Sequence, residues 1–280
     1  MKFSVTRVKL PTLANSLLAI LSAVLLTLAF PDFDLWFLAW FALVPLFFAI
    51  EREKESVVKS FVLGWIFGVA FFFGTCWWLT FAPINYGGVP APVAYLLLLG
   101  AAALVGLFPA IFAALFSLIL KRFGAWGIFA APFLWTAIEF LRFYATGNNW
   151  NAIGYSQAFT GSEILKYATF GGIYAVGFSV VWSNVFITLL LNLQKIINGI
   201  LKKQPNVFEE GVGQKQRLYY VLFFLFYFLY YLSFLLFSYF FIFIIIFIYY
   251  FKWHATQGFS SSGKTACCIN LYFAAVLRQT

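Results

Sequence analysis

Long apolar runs separated by short polar breaks fill most of this chain, and they set the expected elements. The first run, about Thr12 to Phe30, follows Lys2, Arg7 and Lys9 and ends at Pro31-Asp32-Phe33-Asp34. It is long for a signal-peptide core and no A-x-A site follows it, so it reads as a retained first span. A second, short span is expected from about Leu35 to Ile50, with Trp36 and Trp40 suited to an interfacial belt. The charged break Glu51–Ser56 follows, then a third span from about Ser60 to Ala82 carrying Gly64-x-x-x-Gly68. Trp77 and Trp78 mark its outer end, and Pro83 to Pro90 is a turn-rich connection.

The run from Ala91 to Leu120 is 30 residues long, about 45 Å as a helix, too long for one upright span. It has no polar turn near Gly100 to Gly106, so a single tilted or kinked helix with Pro109 at the kink is expected. Lys121 and Arg122 close it. A fifth span is expected at about Ala125 to Thr146, and a sixth, rich in small residues, at about Leu165 to Asn192. A basic stretch from Lys195 to Arg217 leads to a seventh run, Leu218 to Phe251, built of Leu, Phe, Tyr, Ile and Val apart from Ser233 and Ser238. A polar tail ends the chain.

Composition agrees with this pattern. Of 280 residues 64% are hydrophobic and 10% charged, whereas soluble chains run at about 45–50% apolar and about 25% charged. The runs are continuous rather than alternating, which argues against a β-barrel. The fold expected is all-α: a polytopic transmembrane helical bundle of about seven spans. The net charge of +9 is spread over short connecting loops rather than gathered on one face, so no nucleic-acid partner is expected. With the N-terminus cytoplasmic, thirteen Lys and Arg fall on the inner side, and only Lys166 and Arg142 on the outer side between spans. That bias orients the bundle and places the loop after Thr146 outside.

Candidate chemistry is concentrated in one stretch, Pro132 to Gln157, reading PFLWTAIEFLRFYATGNNWNAIGYSQ. A charge at the centre of a membrane span costs about 2.5–3.5 kcal/mol, so Glu139 and Arg142 call for a partner, an interfacial position or a task. Three residues apart, they share a helical face. They read either as an intrahelical ion pair or as a polar pocket toward a lipid headgroup, with Arg shaped for phosphate and Glu holding it. The loop that follows concentrates amide and aromatic side chains. Glu139, Arg142, Trp150, Asn151 and Tyr155 are therefore the candidate substrate-binding residues. The three cysteines have no metal-ligand spacing, and Cys76 reads as a packed core residue. The single histidine, His254, leaves no His-based catalytic set. There is no P-loop, H-E-x-x-H or dinucleotide fingerprint, so no metal or cofactor is expected.

The order of several segments resembles the apolipoprotein N-acyltransferases. These segments are LAFPDFDLWFLAWFALVPL at Leu28–Leu46, GWIFGVAFFFGTCWWL at Gly64–Leu79, the E-x-x-R of Glu139 and Arg142, NNWNAIGYSQ at Asn148–Gln157, and FGGIYAVGFSVVWSNV at Phe170–Val185. The resemblance covers about residues 10 to 192. It implies a multi-pass protein of the bacterial inner membrane that moves an acyl chain from a phospholipid to the N-terminal amine of a lipoprotein's modified cysteine. Phospholipid, lipoprotein and bilayer are the partners so implied. Members of the family carry eight spans and, before the last, a nitrilase-like periplasmic domain with a Glu-Lys-Cys set that forms a thioester intermediate.

This chain departs from that pattern. It has Asn148-Asn149 where the family usually has Phe-Pro before the Trp, and too few residues follow the seventh run for such a domain. Neither Cys267 nor Cys268 lies in a nitrilase context, so no catalytic residue is carried over. The expected divisions are residues 1–192 as the membrane domain, 193–217 as a basic cytoplasmic loop, 218–251 as a low-complexity apolar span and 252–280 as an atypical tail. The sequence beyond about residue 195 reads as the product of a reading-frame shift or of gene decay, and the chain alone is expected to be inactive. The alternative is a non-enzymatic lipid-binding scaffold or a transporter; the internal repeats a transporter would show are not visible.

Overall fold

Polar caps and prolines mark where several of the helices begin. In the computed structural model, residues 10–158, 165, 166 and 168–202 are described. Helix α1 (Leu13–Leu28) starts at Thr12, whose hydroxyl accepts the Asn15 N–H at 3.4 Å. Helix α2 (Val44–Glu53) begins with Pro45 in its first turn, and α3 (Val57–Thr75) is capped by the Ser56 hydroxyl, which accepts the Lys59 N–H. A short α4 (Phe81–Asn85) leads into α5 (Ala91–Val105), α6 (Leu107–Phe123) and α7 (Ala131–Thr146). The last described helix, α8 (Ala168–Lys202), is bent at Gly171 and Gly172, which both leave helical geometry. No strand occurs among the described residues.

The expected second span is not one continuous helix. Trp36–Trp40 form a 3₁₀ turn, the chain breaks over Phe41–Leu43, and α2 then starts afresh. Pro45 accounts for this, because a proline inside a longer helix would lose a backbone hydrogen bond and clash with the carbonyl of Phe41. Ala42 and Leu43 in the break are buried, so their backbone groups need partners. Ser22 on α1 donates to the Ala42 carbonyl at 2.5 Å. Asn184 on α8, fully buried, accepts from the Leu43 N–H at 2.8 Å and donates to the Ala39 carbonyl at 2.9 Å.

The run from Ala91 to Leu120 forms α5 and α6 end to end along α3, broken only at Gly106. Pro109 cannot donate to the Val105 carbonyl, which puts the break one turn ahead of the proline. The Gly64-x-x-x-Gly68 face of α3 packs on this kink. A Cβ at Gly64 would lie 2.6 Å from the Ala113 Cβ, and one at Gly68 2.7 Å from the Gly106 Cα. Only glycine allows that approach, as in close-packed membrane helices. Around it Phe47, Phe67, Phe112, Phe116 and Trp135 fill the core, with Phe112 and Trp135 edge to face at 4.9 Å.

Three helical stretches among the described residues are long and apolar enough to cross a membrane: Val57–Thr75, Ala91–Thr146 and Gly171–Leu193. Helix α1 is apolar but shorter, at 16 residues. The chain divides into two units, Met1–Pro205 and Asn206–Thr280. Every described residue belongs to the first. The expected seventh run at 218–251, the tail with Cys267 and Cys268, and His254 lie outside the described residues.

Candidate functional site

Helix α7 ends at Gly147, whose φ of 68° is the left-handed value glycine adopts without strain. The chain then turns back over the helix end as the loop Asn148–Gln157. Asn148 starts the turn by accepting the Trp150 N–H on its side-chain oxygen at 2.6 Å. Asn151 has a φ of 58°, which Asn tolerates better than most residues. The loop closes in a 3₁₀ turn at Ile153–Gln157.

Glu139 and Arg142 do share one face of α7 and both are buried, 7% and 5% exposed. They do not pair with each other. The Glu139 carboxylate accepts from the Trp135 indole N–H at 3.0 Å and from the Ile153 backbone N–H at 2.7 Å. The Arg142 guanidinium donates to the Trp150 carbonyl at 2.5 Å and the Asn149 carbonyl at 3.5 Å, and its carbon lies 5.4 Å from the centre of the Phe72 ring. Both charged groups thus grip the loop that follows them. Of the two readings open in the sequence, the direct ion pair is not formed: each side chain is taken up by backbone groups of the returning loop.

The other candidates fall in the same place. Asn151 donates to the Thr75 hydroxyl at 2.9 Å and the Cys76 sulfur at 3.0 Å, tying the loop to the end of α3. Trp150 is 52% exposed, its ring 5.4 Å from that of Trp78. Tyr155 lies behind them and donates its hydroxyl to the Asn149 side chain at 3.3 Å.

A cleft of about 210 Å³ opens beside this loop. One wall is apolar, from Phe72 on α3 and Leu98, Ala102 and Val105 on α5. The other is polar, from Cys76, Arg142, Asn148 and Asn151. Arg142 brings a cation to it with no carboxylate at ion-pair distance among the described residues. An apolar trough ending at a guanidinium matches an amphiphile with an anionic head.

Two residues were missed in the sequence. Cys76, expected in the packed core, instead caps α3, half-buried, and faces the cleft. Gln157 is fully buried and donates to the Trp36 carbonyl at 3.1 Å, joining the loop to the broken second segment. The polar end of the G-Y-S-Q run was the one available signal for it.

Residues 22–186 match the family model described as the apolipoprotein N-acyltransferase N-terminal domain. The chain belongs to the apolipoprotein N-acyltransferase family. An apolipoprotein N-acyltransferase of Geobacter metallireducens is 33% identical over 190 residues, 68% of this chain and 34% of that protein. One of Pasteurella multocida is 34% identical over 178 residues, 63% of this chain and 32% of its own length. One of Coxiella burnetii is 30% identical over 190 residues, 67% of this chain and 38% of its own. The chain thus spans about a third of the length of these relatives, and the Glu139–Gln157 stretch lies inside the matched domain.

Proposed function

We propose that this chain supplies the membrane-embedded, substrate-holding part of a phospholipid:apolipoprotein N-acyltransferase in lipoprotein maturation. The observation that carries the reading is Arg142: a buried cation, with no carboxylate at ion-pair distance among the described residues, at the head of an apolar cleft. The cleft takes a phospholipid with its phosphate against Arg142, and Trp150 and Asn151 face the headgroup. Glu139 and Tyr155 stand behind them. The N-terminus is cytoplasmic and the loop lies on the outer side of a bacterial inner membrane, an orientation supported by the loop bias in Lys and Arg. Residues 1–192 act as one membrane domain within about seven spans. The acceptor is the amine of a lipoprotein, which the activity named for the relatives supports, and it comes to this same outer face.

The test is lipid retention by the purified chain. Native mass spectrometry with phosphatidylglycerol should show a bound lipid that R142A loses and R142K only partly keeps, since lysine lacks the planar fork. Equal retention by all three would overturn the reading. Retention without any dependence on Arg142 or Trp150 would favour a plain scaffold that binds lipid along its apolar faces.

A further inference from the structure

We propose that Glu139 is a positioning residue: it docks the Asn148–Gln157 loop onto α3 and so sets the polar wall of the Arg142 cleft, without touching the ligand. This rests on the reading of that cleft as a headgroup site. Three observations carry it. The Glu139 carboxylate is occupied inward, by the indole of Trp135 and by the first N–H of the 3₁₀ turn at Ile153. It is absent from the walls of the 210 Å³ cleft. With Arg142 and Asn151 it lines a separate void of about 30 Å³, room for about two waters and not for a headgroup.

The loop transmits this anchor. Past Ile153, Gly154 packs directly on the backbone of Ile173 and Gly177, so once the Glu139 bond is lost the loop can yield only on its other side, toward Asn151. Two residues before Ile153, Asn151 reaches Thr75 and Cys76 on α3. The stretch between is too short to absorb a shift, so freeing Ile153 lifts Asn151. The Cys76 sulfur, covered by the Asn151 amide, then becomes a reporter of docking.

The experiment uses the full chain with Cys267→Ser and Cys268→Ser, leaving Cys76 as the sole thiol. N-ethylmaleimide alkylation is followed by intact mass in detergent, with and without phosphatidylglycerol. E139A should raise the Cys76 rate about tenfold, equivalent to about 1.4 kcal/mol of lost docking. E139Q should stay within about twofold of the parent, because its amide oxygen still accepts the Ile153 N–H. An unchanged rate in E139A, or an equal rise in E139Q, would overturn the proposal; the second result would mean that the charge, not the acceptor, matters. Should E139A fail to unfold cooperatively, N151A takes its place: it must raise the rate about tenfold, and a parental rate there refutes the loop as the cover. Protection of Cys76 by phosphatidylglycerol in the parent tests the headgroup reading separately. Its absence would overturn that reading and leave the E139A and E139Q comparison standing.

Discussion

Replacing Asn184 by leucine should destabilise the bundle more than any other single polar-to-apolar change on α8. The side chain is fully buried and serves the broken second segment on both sides, accepting from Leu43 N–H at 2.8 Å and donating to the Ala39 carbonyl at 2.9 Å. Its third bond, to the Val180 carbonyl at 2.8 Å, is to a group within its own helix and strands nothing when lost. Leucine therefore leaves one buried N–H and one buried carbonyl without partners. Each such group costs about 1–3 kcal/mol, or about 2–6 kcal/mol for the two. Interhelical hydrogen bonds in membranes measure lower, about 0.6 on average and about 1.7 at most, because the unfolded chain in the membrane also finds partners. The two scales together put N184L at about 2–3 kcal/mol. The assay is unfolding of the purified protein by SDS in mixed micelles, followed by far-UV circular dichroism. T188V is the matched control: the Thr188 hydroxyl only donates back to the Asn184 carbonyl at 2.8 Å, so its loss should stay within about 0.5 kcal/mol. N184L within the same range would refute the argument that Asn184 completes the break.

Two further outcomes concern glycines of α3 and α5. G68V must push its new side chain into the Gly106 backbone, 2.7 Å from the Cα, and should cost about 1–3 kcal/mol in the same assay. G100A, inside α5, faces open space and should be neutral to stabilising, by up to about 1 kcal/mol. The pH dependence of stability should carry a contribution from Glu53, which ties the start of α1 to the start of α3. Burial alone would raise its pKa. The bonds from Lys59 at 2.8 Å, the Thr12 N–H at 3.2 Å and Asn15 at 2.9 Å, with the Lys59 charge, outweigh burial and hold it below the ordinary carboxylate value. In the window between the two values the unfolded chain binds more protons, so stability there rises with pH. The contribution is whole above the ordinary value and is lost as pH falls through the folded one. E53Q should flatten the acid limb of an unfolding-midpoint profile, and an unchanged acid limb would count against this role.

The sequence by itself determined the class of the fold and much of its spacing. Continuous apolar runs of span length point to helices, since a backbone in lipid must satisfy itself and a barrel strand would alternate. Pro109, Gly64 and Gly68 marked the kink and the close approach because proline and glycine act through their own backbone, whatever surrounds them. The order of motifs from Leu28 to Val185 also carried the family, and the E-x-x-R with its loop marked the end of α7 beside which the cleft opens. Only the tertiary structure decided what the polar residues do. Asn184 reaches Leu43, Gln157 reaches Trp36, and Asn151 reaches Cys76, partners far apart in the chain that no helical period relates. A buried amide in an apolar run looks the same in sequence whether it is merely tolerated or repairs a broken segment. The same holds for Glu139 and Arg142: their spacing puts them on one face, but it was the returning loop, offering an N–H and two carbonyls, that drew them away from each other. Hydropathy ranks positions along a line, whereas a hydrogen bond depends on which groups the fold brings within about 3 Å.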